Sequence, residues 1–228
     1  MIEYRNMLLE NVKGAIWDFD GTMVDSYKLF VGILGEVVVE TDHAMPSEEI
    51  LMSNYHGSLR DTFKAILNID SEAEVDRVVE SFKEKQTKMY NNGDDSLFFE
   101  DSIHLSQRMA EKGIPQIIIT NRMHEGSGPA SPRTIIESSL VAPYINEVRC
   151  HEEVVIPKPD PSAVGSWFHD KGIALKDVVV IGDQEVDRQL AENIGARALM
   201  IARNGIIPHL AINAPNLYVV SSLHEVEI

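Results

Sequence analysis

The chain has 228 residues, of which 44% are hydrophobic and 25% charged, and this balance argues against wholesale disorder. The formal net charge of −16 argues against nucleic acids and anionic membranes as partners, because the chain has no general positive field to attract them. It contains one cysteine, Cys150, and neither a signal-peptide pattern nor an apolar run of membrane-spanning length, so we expect a cytoplasmic protein with a plain buried thiol.

The first element in chain order is an apolar run at Ala15-Ile16, which leads into the sequence WDFDGTMVDS at residues 17–26. Asp18 and Asp20 stand two residues apart and are followed at once by glycine and threonine. A solubilising loop could use any polar residues in any order. An active site that binds a cation and attacks a substrate needs carboxylates at defined positions. We therefore interpret this stretch as part of an active site.

Residues 24–95 predict an inserted domain that is mostly helical. A helix start lies at residues 47–49, and residues 59–67 have helical spacing. A capping box at residues 71–74 is followed by apolar residues at helical intervals as far as Phe82. The run Glu36-Val37-Val38-Val39 resembles a strand but is ambiguous. The rest of the chain, residues 1–23 and 96–228, predicts one core domain.

The core domain alternates strand and helix patterns. Short apolar runs that end in polar residues are typical of strands buried on both faces of a parallel sheet. These runs lie at residues 15–17, 116–119, 178–181 and 199–202. Helix patterns with readable ends lie at residues 102–113, 160–172 and 185–194. The alternation predicts an α/β fold with a doubly wound, mostly parallel, Rossmann-like sheet that carries the inserted helical domain.

Polar residues that end these strands are expected to share one crevice, because ligands of such sheets bind beyond the carboxyl ends of the strands. These residues are Asp18, Asp20, Thr120, Asn121 and Asp183. Asp183 is also interpreted as the N-cap of the helix that follows it, a role that is compatible with a place in the crevice. The Gly- and Pro-rich segment 125–132 either folds over this crevice or forms a surface excursion.

Four acidic residues follow two of the predicted strands and would repel one another at close range. Two like charges about 4 Å apart cost roughly 4 kcal/mol at an effective dielectric constant of about 20. Either some of the carboxyl groups are protonated or a cation enters, and Mg²⁺ suits a set of oxygen ligands. The four residues are Asp18, Asp20, Asp183 and Asp187.

Four motifs stand in a fixed order along the chain. They are DFDGT at residues 18–22, Thr120-Asn121 at a strand end, Lys158 before Pro159, and Gly182-Asp183 with Asp187 four residues on. Together they resemble the motifs of the haloacid dehalogenase-like hydrolases, and specifically of their phosphatase branch. The resemblance spans about residues 12–204. The insertion matches the C1 cap of this family, which occurs in phosphoglycolate phosphatases and β-phosphoglucomutases.

The resemblance implies a catalytic role for one residue in each of the first three motifs and for a second aspartate of the first motif. Asp18 would be the nucleophile that forms an aspartyl-phosphate, and Asp20 the acid for the leaving group and then the base for water. Lys158 would neutralise the phosphoryl oxygens and Asp18, although in isolation it would be interpreted as an exposed loop lysine. Thr120 would donate its hydroxyl to a phosphoryl oxygen.

The resemblance also implies substrate contacts and metal ligands. Asn121 would add a backbone N–H donor, and Gly21 would keep side-chain bulk away from the phosphate. The Mg²⁺ ligands would be the Asp18 carboxylate, the Asp20 backbone carbonyl and the Asp183 carboxylate. Asp187 would act through water or by orienting its neighbours.

Substrate choice is expected to depend on the cap. Arg60 is a candidate to hold a substrate carboxylate, as phosphoglycolate would require, and His56 and Lys64 are further candidates. The alternative for each is a solvated helical face. Arg122, directly after the second motif, either reaches the crevice or faces solvent.

The sequence therefore predicts a Mg²⁺-dependent phosphatase for a small phosphorylated metabolite. The alternatives are a phosphomutase similar to the β-phosphoglucomutases and a non-catalytic binding protein of the same fold. By the family pattern, Asp20 disfavours a dehalogenase and a phosphonatase. The sequence leaves the oligomeric state open.

Overall fold

The structure is a computed structural model that describes residues 7–54, 58–91, 95–123, 130–203 and 216–228. The backbone packs as two compact units, one formed by Met1–Asp25 with Gly93–Ile228 and the other by Ser26–Asn92. We call them the core unit and the cap unit, and we propose that they correspond to the predicted core and cap domains. Across the described residues, no helix is long and apolar enough to cross a membrane.

The core unit is built on parallel strands. They are β1 (Met7–Leu8), β2 (Gly14–Trp17), β3 (Gln116–Ile119), β4 (Glu147–Arg149), β5 (Val178–Gly182), β6 (Arg197–Ile201), β7 (Leu217–Val220) and β8 (Val226–Glu227). Six of them form one sheet in the order β4-β3-β2-β5-β6-β7, and β1 pairs with β8 separately. All of these pairings are parallel. The predicted doubly wound, Rossmann-like α/β fold is confirmed.

The central strands of the sheet are the apolar runs found in the sequence. β2, β3 and β5 are buried at every position, because neighbouring strands flank them and both of their faces are covered. The indole N–H of Trp17 donates to Gln116 Oε1 at 2.9 Å, which satisfies two polar groups inside the sheet. The edge strand β4 is only partly buried, so it lacks a continuous apolar run and the sequence did not predict it.

The order of strands reverses next to β2. The chain runs from β2 through β3 to β4, then returns to the other side of β2 as β5 and continues to β6 and β7. Such a reversal opens a crevice at the carboxyl ends of the two strands where the loops diverge. Asp18 follows β2 and Asp183 follows β5, so both enter this crevice from neighbouring strands.

The cap unit consists of helices. They are α1 (Ser26–Glu40), α2 (Glu48–Asn54), α3 (Leu59–Leu67) and α4 (Glu72–Asn91). The ambiguous run at residues 36–39 is helical. Val37 is buried while Val39 is 81% exposed, although in a strand these two side chains would share a face. Three aromatic rings pack inside the unit with centroids 5.3 to 5.9 Å apart: Phe30, Phe63 and Phe82.

Further helices belong to the core unit. They are α5 (Glu100–Glu111), α6 (Pro132–Glu137), α7 (Trp167–Asp170) and α8 (Glu185–Ile194). Helices α5 and α8 match their predictions. The continuous helix predicted over residues 160–172 is wrong, because this stretch forms a 3₁₀ turn at Pro161–Ala163 and the short α7. Gly165 between them has a φ of +55°, which a right-handed helix cannot contain.

The predicted Gly- and Pro-rich segment lies only partly within the described residues. Ser131 Oγ accepts a hydrogen bond from the Thr134 N–H at 3.1 Å and begins α6. The end of the segment therefore starts a helix. Residues 125–129 of the segment, and His56 in the cap, lie outside the described residues.

Candidate active site

The side chain of Lys158 lies at the centre of a buried cluster of charges. Its ammonium donates to Asp18 Oδ1 at 2.6 Å and to Asp187 Oδ1 at 2.7 Å. All three side chains are less than a tenth exposed, so Lys158 is an internal counter-charge and not an exposed loop lysine. Burial alone would lower the pKa of Lys158, but the two carboxylates raise it above its ordinary value. The ammonium therefore stays charged.

A third carboxylate, that of Asp183, completes the cluster. Oxygen atoms of Asp18, Asp183 and Asp187 lie within 4.8 Å of one another. Burial and the neighbouring Asp187 raise the pKa of Asp18 well above its ordinary value and that of Asp183 to about 6. The cluster sets three carboxyl groups against the Lys158 ammonium, which bonds to Asp18 and Asp187, so the negative charge of the ionised groups is only partly neutralised. This imbalance favours the binding of a cation.

The donor set of this cluster suits a hard divalent cation. Carboxylate oxygens are the ligands that Mg²⁺ prefers, and here they converge where two strands end. Asp18 and Asp183 are two of the predicted ligands. The third predicted ligand is the backbone carbonyl of Asp20, and its role stays a prediction.

The turn after β2 places Asp18 against Asp183. The Asp18 N–H donates to Ile181 O at 2.8 Å, so pairing with β5 continues beyond the end of β2. Gly21 then turns with a φ of +79°, and a Cβ there would lie 2.3 Å from Asp183 Oδ2. Glycine is required here for both reasons. Thr22 Oγ1 donates to Asp183 Oδ1 at 3.1 Å and fixes that carboxylate.

The start of α8 positions Asp187. A Cβ at Gly182 would lie 2.4 Å from the Asp187 carboxylate, so the strand end passes directly against this group. The Gln184 N–H donates to Asp187 Oδ2 at 3.1 Å, which leaves Oδ1 to accept from Lys158. Gln184 is the N-cap of α8, so the interpretation of Asp183 as that N-cap is wrong.

The predicted acid and base, Asp20, lies beside Arg122. Arg122 Nη1 is 3.3 Å from Asp20 Oδ1, and the guanidinium lies 5.7 Å from the centroid of the Phe19 ring. The sequence left open whether Arg122 reaches the crevice or faces solvent, and the structure places it against the DFDGT motif. The Arg122 N–H donates to Thr120 Oγ1 at 3.0 Å. A hydroxyl that accepts one bond keeps its own proton, so Thr120 can still donate to a phosphoryl oxygen.

Asn121 joins the second motif to the third. Its side-chain Nδ2 donates to the backbone carbonyl of Lys158 at 3.0 Å. This bond fixes the loop that carries the central ammonium, a contact that the sequence did not predict. The predicted contact of the Asn121 backbone N–H with a phosphate stays a prediction.

Arg60 belongs to α3 of the cap unit. Its guanidinium donates to Glu72 Oε2 at 2.6 Å and also to Asp76, while Lys64 donates to Glu72 from the same helix. The Arg60 side chain is 42% exposed. These contacts are those of a solvated helical face. The predicted contact of Arg60 with a substrate carboxylate stays a prediction.

Two residues that support the site were missed in the sequence, Arg203 and Asp101. Arg203 follows β6 and donates to the backbone carbonyls of Gly21 and Thr22. It also forms an ion pair with Asp101. The sequence shows Arg203 as a polar residue after an apolar run, but no local pattern connects two residues 102 positions apart.

Cys150 is outside this chemistry. It is a free cysteine and is fully buried. Burial, with the charge of nearby Glu153, raises the pKa of its thiol to about 12. The thiol therefore stays protonated and unreactive, and the interpretation as a plain buried thiol is confirmed.

A family model described as haloacid dehalogenase-like hydrolase matches residues 15–201, which include every member of the buried charge cluster. The chain belongs to the haloacid dehalogenase-like hydrolases. The resemblance inferred from the four motifs is thereby confirmed. The fold of this family accounts for the arrangement of the site, since its motifs meet at the carboxyl ends of neighbouring strands.

Individual members of the family are similar to this chain at low identity. Pyrophosphatase PpaX of Oceanobacillus iheyensis is 22% identical over 179 residues, which cover 78% of this chain and 77% of that protein. A solved structure described as a predicted phosphoglycolate phosphatase of Haemophilus somnus 129PT has a TM-score of 0.71 at 14% identity, over 94% of this chain and 96% of that one. CbbY of Rhodobacter sphaeroides in complex with phosphate has a TM-score of 0.65 at 12% identity, over 93% and 95%. At these identities the likeness to solved structures establishes the shared fold.

Proposed function

We propose that this protein is a Mg²⁺-dependent phosphatase that hydrolyses a small phosphorylated metabolite through an aspartyl-phosphate. The observation that carries the proposal is the buried Asp18 carboxylate, paired with Lys158 beside two further carboxylates. A carboxylate that attacks a negatively charged phosphoryl group needs positive charge around it. Here the Lys158 ammonium supplies one positive charge, and the neighbouring carboxylates suit the binding of a cation. The family relationship and the names of similar proteins support the proposal.

In the proposed reaction, Asp18 attacks phosphorus while Asp20 moves the protons. A bond forms between an Asp18 carboxylate oxygen and phosphorus as the bond from phosphorus to the leaving oxygen breaks, and Asp20 gives its proton to that oxygen. Asp20 then takes a proton from a water molecule whose oxygen attacks phosphorus. This step releases inorganic phosphate and restores Asp18. The Asp20 side chain is 30% exposed, so water can reach it as this role requires.

Other residues of the site bind and orient the phosphoryl group. Lys158 uses two of its three ammonium hydrogens for carboxylates and has a third to donate. Thr120 supplies a hydroxyl, and Asn121 holds the Lys158 loop and offers its backbone N–H. Gly21 keeps the approach to Asp18 free of side-chain atoms.

The proposed metal ligands are the carboxylates of Asp18 and Asp183 and the backbone carbonyl of Asp20. When bound, Mg²⁺ supplies positive charge that offsets the charge of the phosphoryl group. Asp187 orients Lys158 and Thr22 orients Asp183, so the chain fixes both the ammonium and a metal ligand.

Two substrate classes follow from the names of similar proteins, phosphoglycolate and pyrophosphate. In both, the leaving group is itself an anion. A guanidinium beside the acid suits such a leaving group, and Arg122 lies 3.3 Å from Asp20. We therefore propose an ester or anhydride with a second anionic group as the preferred substrate.

Release of inorganic phosphate from a panel of compounds tests the proposal. The panel contains 2-phosphoglycolate, pyrophosphate and a hexose 1-phosphate, each with Mg²⁺ or with EDTA. We expect turnover that depends on Mg²⁺ and that falls at least about a thousandfold in Asp18→Asn. The matched control is Asp177→Asn, because Asp177 of the same unit forms a surface ion pair with Lys13 at 2.9 Å. We expect this control to retain full activity.

The same experiment separates the alternatives. Full activity in Asp18→Asn would refute the nucleophile assignment. A rearranged hexose phosphate in place of released phosphate would favour the phosphomutase. Binding of Mg²⁺ without turnover of any compound would favour a non-catalytic binding protein.

A further inference from the structure

The side chain of Arg203, which follows β6 in the chain, contacts the turn of the DFDGT motif. Its Nε donates to the carbonyl of Gly21 at 3.2 Å, and its Nη2 donates to the carbonyl of Thr22 at 3.1 Å. Arg203 stands two residues after Ile201, the last residue of β6, so the contact joins the segments that follow β6 and β2. A single planar guanidinium thus holds two successive peptide units of the turn.

Arg203 is itself held from two sides. Asp101 accepts from Nη2 at 2.9 Å and from Nη1 at 3.2 Å, in the bidentate arrangement that a guanidinium allows. The guanidinium carbon also lies 3.4 Å from the centroid of the Phe99 ring, a cation–π contact. The Arg203 and Asp101 side chains are 18% and 7% exposed, so solvent screens this pair weakly.

Asp101 is fixed in turn by the C-terminal segment. The Leu223 N–H donates to Asp101 Oδ2 at 2.8 Å and the Ser222 hydroxyl donates to the same oxygen at 3.0 Å. Burial alone would raise the pKa of Asp101, but Arg203 and these two donors hold it below its ordinary value. The carboxylate is therefore charged and immobilised where Arg203 needs a partner.

The turn that Arg203 holds connects directly to a proposed metal ligand. Thr22 Oγ1 donates to Asp183 Oδ1 at 3.1 Å. The Ser102 hydroxyl also donates to the Thr22 carbonyl at 2.7 Å, and its oxygen lies 3.1 Å from Arg203 Nη2. Hydrogen bonds to its carbonyl therefore hold Thr22 in place. This position allows the Thr22 hydroxyl to orient the Asp183 carboxylate. Arg203 has no contact with Asp183 among these bonds and acts through Thr22.

We propose that Arg203, braced by Asp101, is a positioning residue that holds the Gly21–Thr22 turn and thereby keeps Asp183 oriented to bind the metal ion. This inference rests on the proposed Mg²⁺-dependent function. Lysine could not replace Arg203, because an ammonium is a point charge and cannot hold two carbonyls and a bidentate carboxylate at once. The role of Arg203 is to set metal affinity, and substrate contacts are left to other residues.

Direct metal binding tests the proposal without any turnover. The probe is Mn²⁺, which shares the preference of Mg²⁺ for oxygen ligands, and the readout is the EPR signal of the free ion in the presence of substrate-free protein. We expect Arg203→Met to weaken Mn²⁺ binding by about 10-fold, in the range found when a group that orients a metal ligand is removed. In steady-state assays we expect kcat at fixed Mg²⁺ to fall while the KM for substrate changes less than about twofold. Arg203→Lys should recover little of the affinity.

Arg149→Met is the matched control. Arg149 is 19% exposed and also holds one carboxylate and two backbone carbonyls, those of Glu147, Ala163 and Val164. Its loss should lower the unfolding midpoint in urea to a similar extent but leave Mn²⁺ affinity unchanged. Equal loss of Mn²⁺ affinity in both variants would overturn the proposal, because general destabilisation would then explain it.

A double-mutant cycle tests the route through Thr22. Thr22→Val removes the hydroxyl that donates to Asp183 and should itself weaken Mn²⁺ binding. If Arg203 acts through Thr22, Arg203→Met has almost no further effect in this background. Full additivity would overturn the route. Should Arg203→Met fail to fold, Asp101→Asn in the same cycle removes the brace and is expected to give the same non-additivity.

Two failures can be told apart. If wild type binds no Mn²⁺ and turns over no phosphate compound, the proposed function is wrong. If wild type binds Mn²⁺ and is active, and Arg203→Met binds Mn²⁺ equally well, the proposed function stands and the role of Arg203 is wrong.

Discussion

The buried cluster around Lys158 in the core unit and the exposed cluster around Arg60 in the cap unit join the same kinds of charged groups. In the first, Lys158, Asp18 and Asp187 side chains are 2%, 8% and 1% exposed. In the second, Arg60 and Glu72 are 42% and 64% exposed. Water and salt screen the exposed pairs, whereas the buried pairs interact in a medium of low dielectric constant. Similar contacts therefore carry very different energies.

The two clusters also differ in charge balance. The cap cluster sets Arg60 and Lys64 against Glu72 and Asp76, which is a balanced set. The core cluster has three carboxylates around the Lys158 ammonium. Burial with an excess of negative charge is costly, and such a site gains by binding a cation. The comparison teaches that burial together with an excess of negative charge distinguishes the core cluster from the surface cluster. The number of ion pairs does not.

The largest effect is expected from removing the buried ammonium. Lys158→Met leaves Asp18 and Asp187 buried without their partner, so we expect the free energy of unfolding in EDTA to fall by about 3–5 kcal/mol. Mg²⁺ should recover part of this loss, because it brings positive charge back to the carboxylates. Urea denaturation with and without Mg²⁺ measures both changes. Lys64→Met in the cap is the control, and we expect it to change the unfolding midpoint little. A small effect of Lys158→Met would show that the buried carboxylates are neutral in the folded protein.

The close packing of the core cluster can be tested at Gly21. A Cβ there would lie 2.3 Å from Asp183 Oδ2, and the φ of +79° is unfavourable for alanine. Gly113 has a similar φ of +70° but has open space around it. We expect Gly113→Ala to cost about 1–2 kcal/mol of stability with no change in Mn²⁺ affinity. We expect Gly21→Ala to lower Mn²⁺ affinity and phosphate release by about 10-fold or more in addition. An equal loss of stability in the two variants with unchanged Mn²⁺ affinity in both would mean that only backbone strain matters. Contact of the new Cβ with Asp183 would then have no effect.

The pH dependence of stability should distinguish a buried pair from an exposed one. Arg203 and its neighbours hold the pKa of Asp101 below the ordinary value of 3.8, so the folded state binds this proton less readily than the unfolded state. Its contribution to stability is therefore full above that value and is lost as the pH falls through the lowered pKa. We expect Asp101→Asn to destabilise by about 1–3 kcal/mol at pH 7, and the difference from wild type to shrink below pH about 4. Urea denaturation from pH 7 to pH 3 measures it, with Glu72→Gln in the exposed cluster as the control. A difference that stays constant with pH would show that Asp101 carries no charge-dependent stability.

The sequence predicts those strands and helices whose local residue pattern is distinctive. The central strands are covered on both faces, so their sequences are continuous apolar runs, and glycines mark the ends of α5 and α8. The edge strand β4 has a charged residue on each side of one valine, and β7 has no readable helix pattern before it. The run at residues 36–39 was ambiguous because β-branched residues fit both elements, and only burial within the cap unit decides between them.

For the candidate site, the sequence identifies the participants better than their contacts. Asp18, Lys158 and Asp183 stand in motifs with a fixed order, so they could be proposed from sequence alone. The bond from Lys158 to Asp187 and the brace of Asp101 on Arg203 join distant parts of the chain. No periodicity or capping pattern encodes such pairs, because they follow from strand register and loop paths in three dimensions.

The smallest effect on stability is expected from Arg60→Ala. The guanidinium already contacts Glu72 and Asp76 on the cap surface, so its removal should shift the unfolding midpoint little, and the shift should vanish at about 1 M NaCl. The predicted contact of Arg60 with a substrate carboxylate implies that the KM for 2-phosphoglycolate rises in Arg60→Ala while the KM for a hexose 1-phosphate does not. The control is Arg77→Ala, because Arg77 is an exposed arginine of α4 that pairs with Glu74 at 3.7 Å. A KM for 2-phosphoglycolate that changes no more in Arg60→Ala than in this control would refute the contact, whereas a selective rise would mean that an exposed cluster can serve the reaction once a substrate anion competes for its guanidinium.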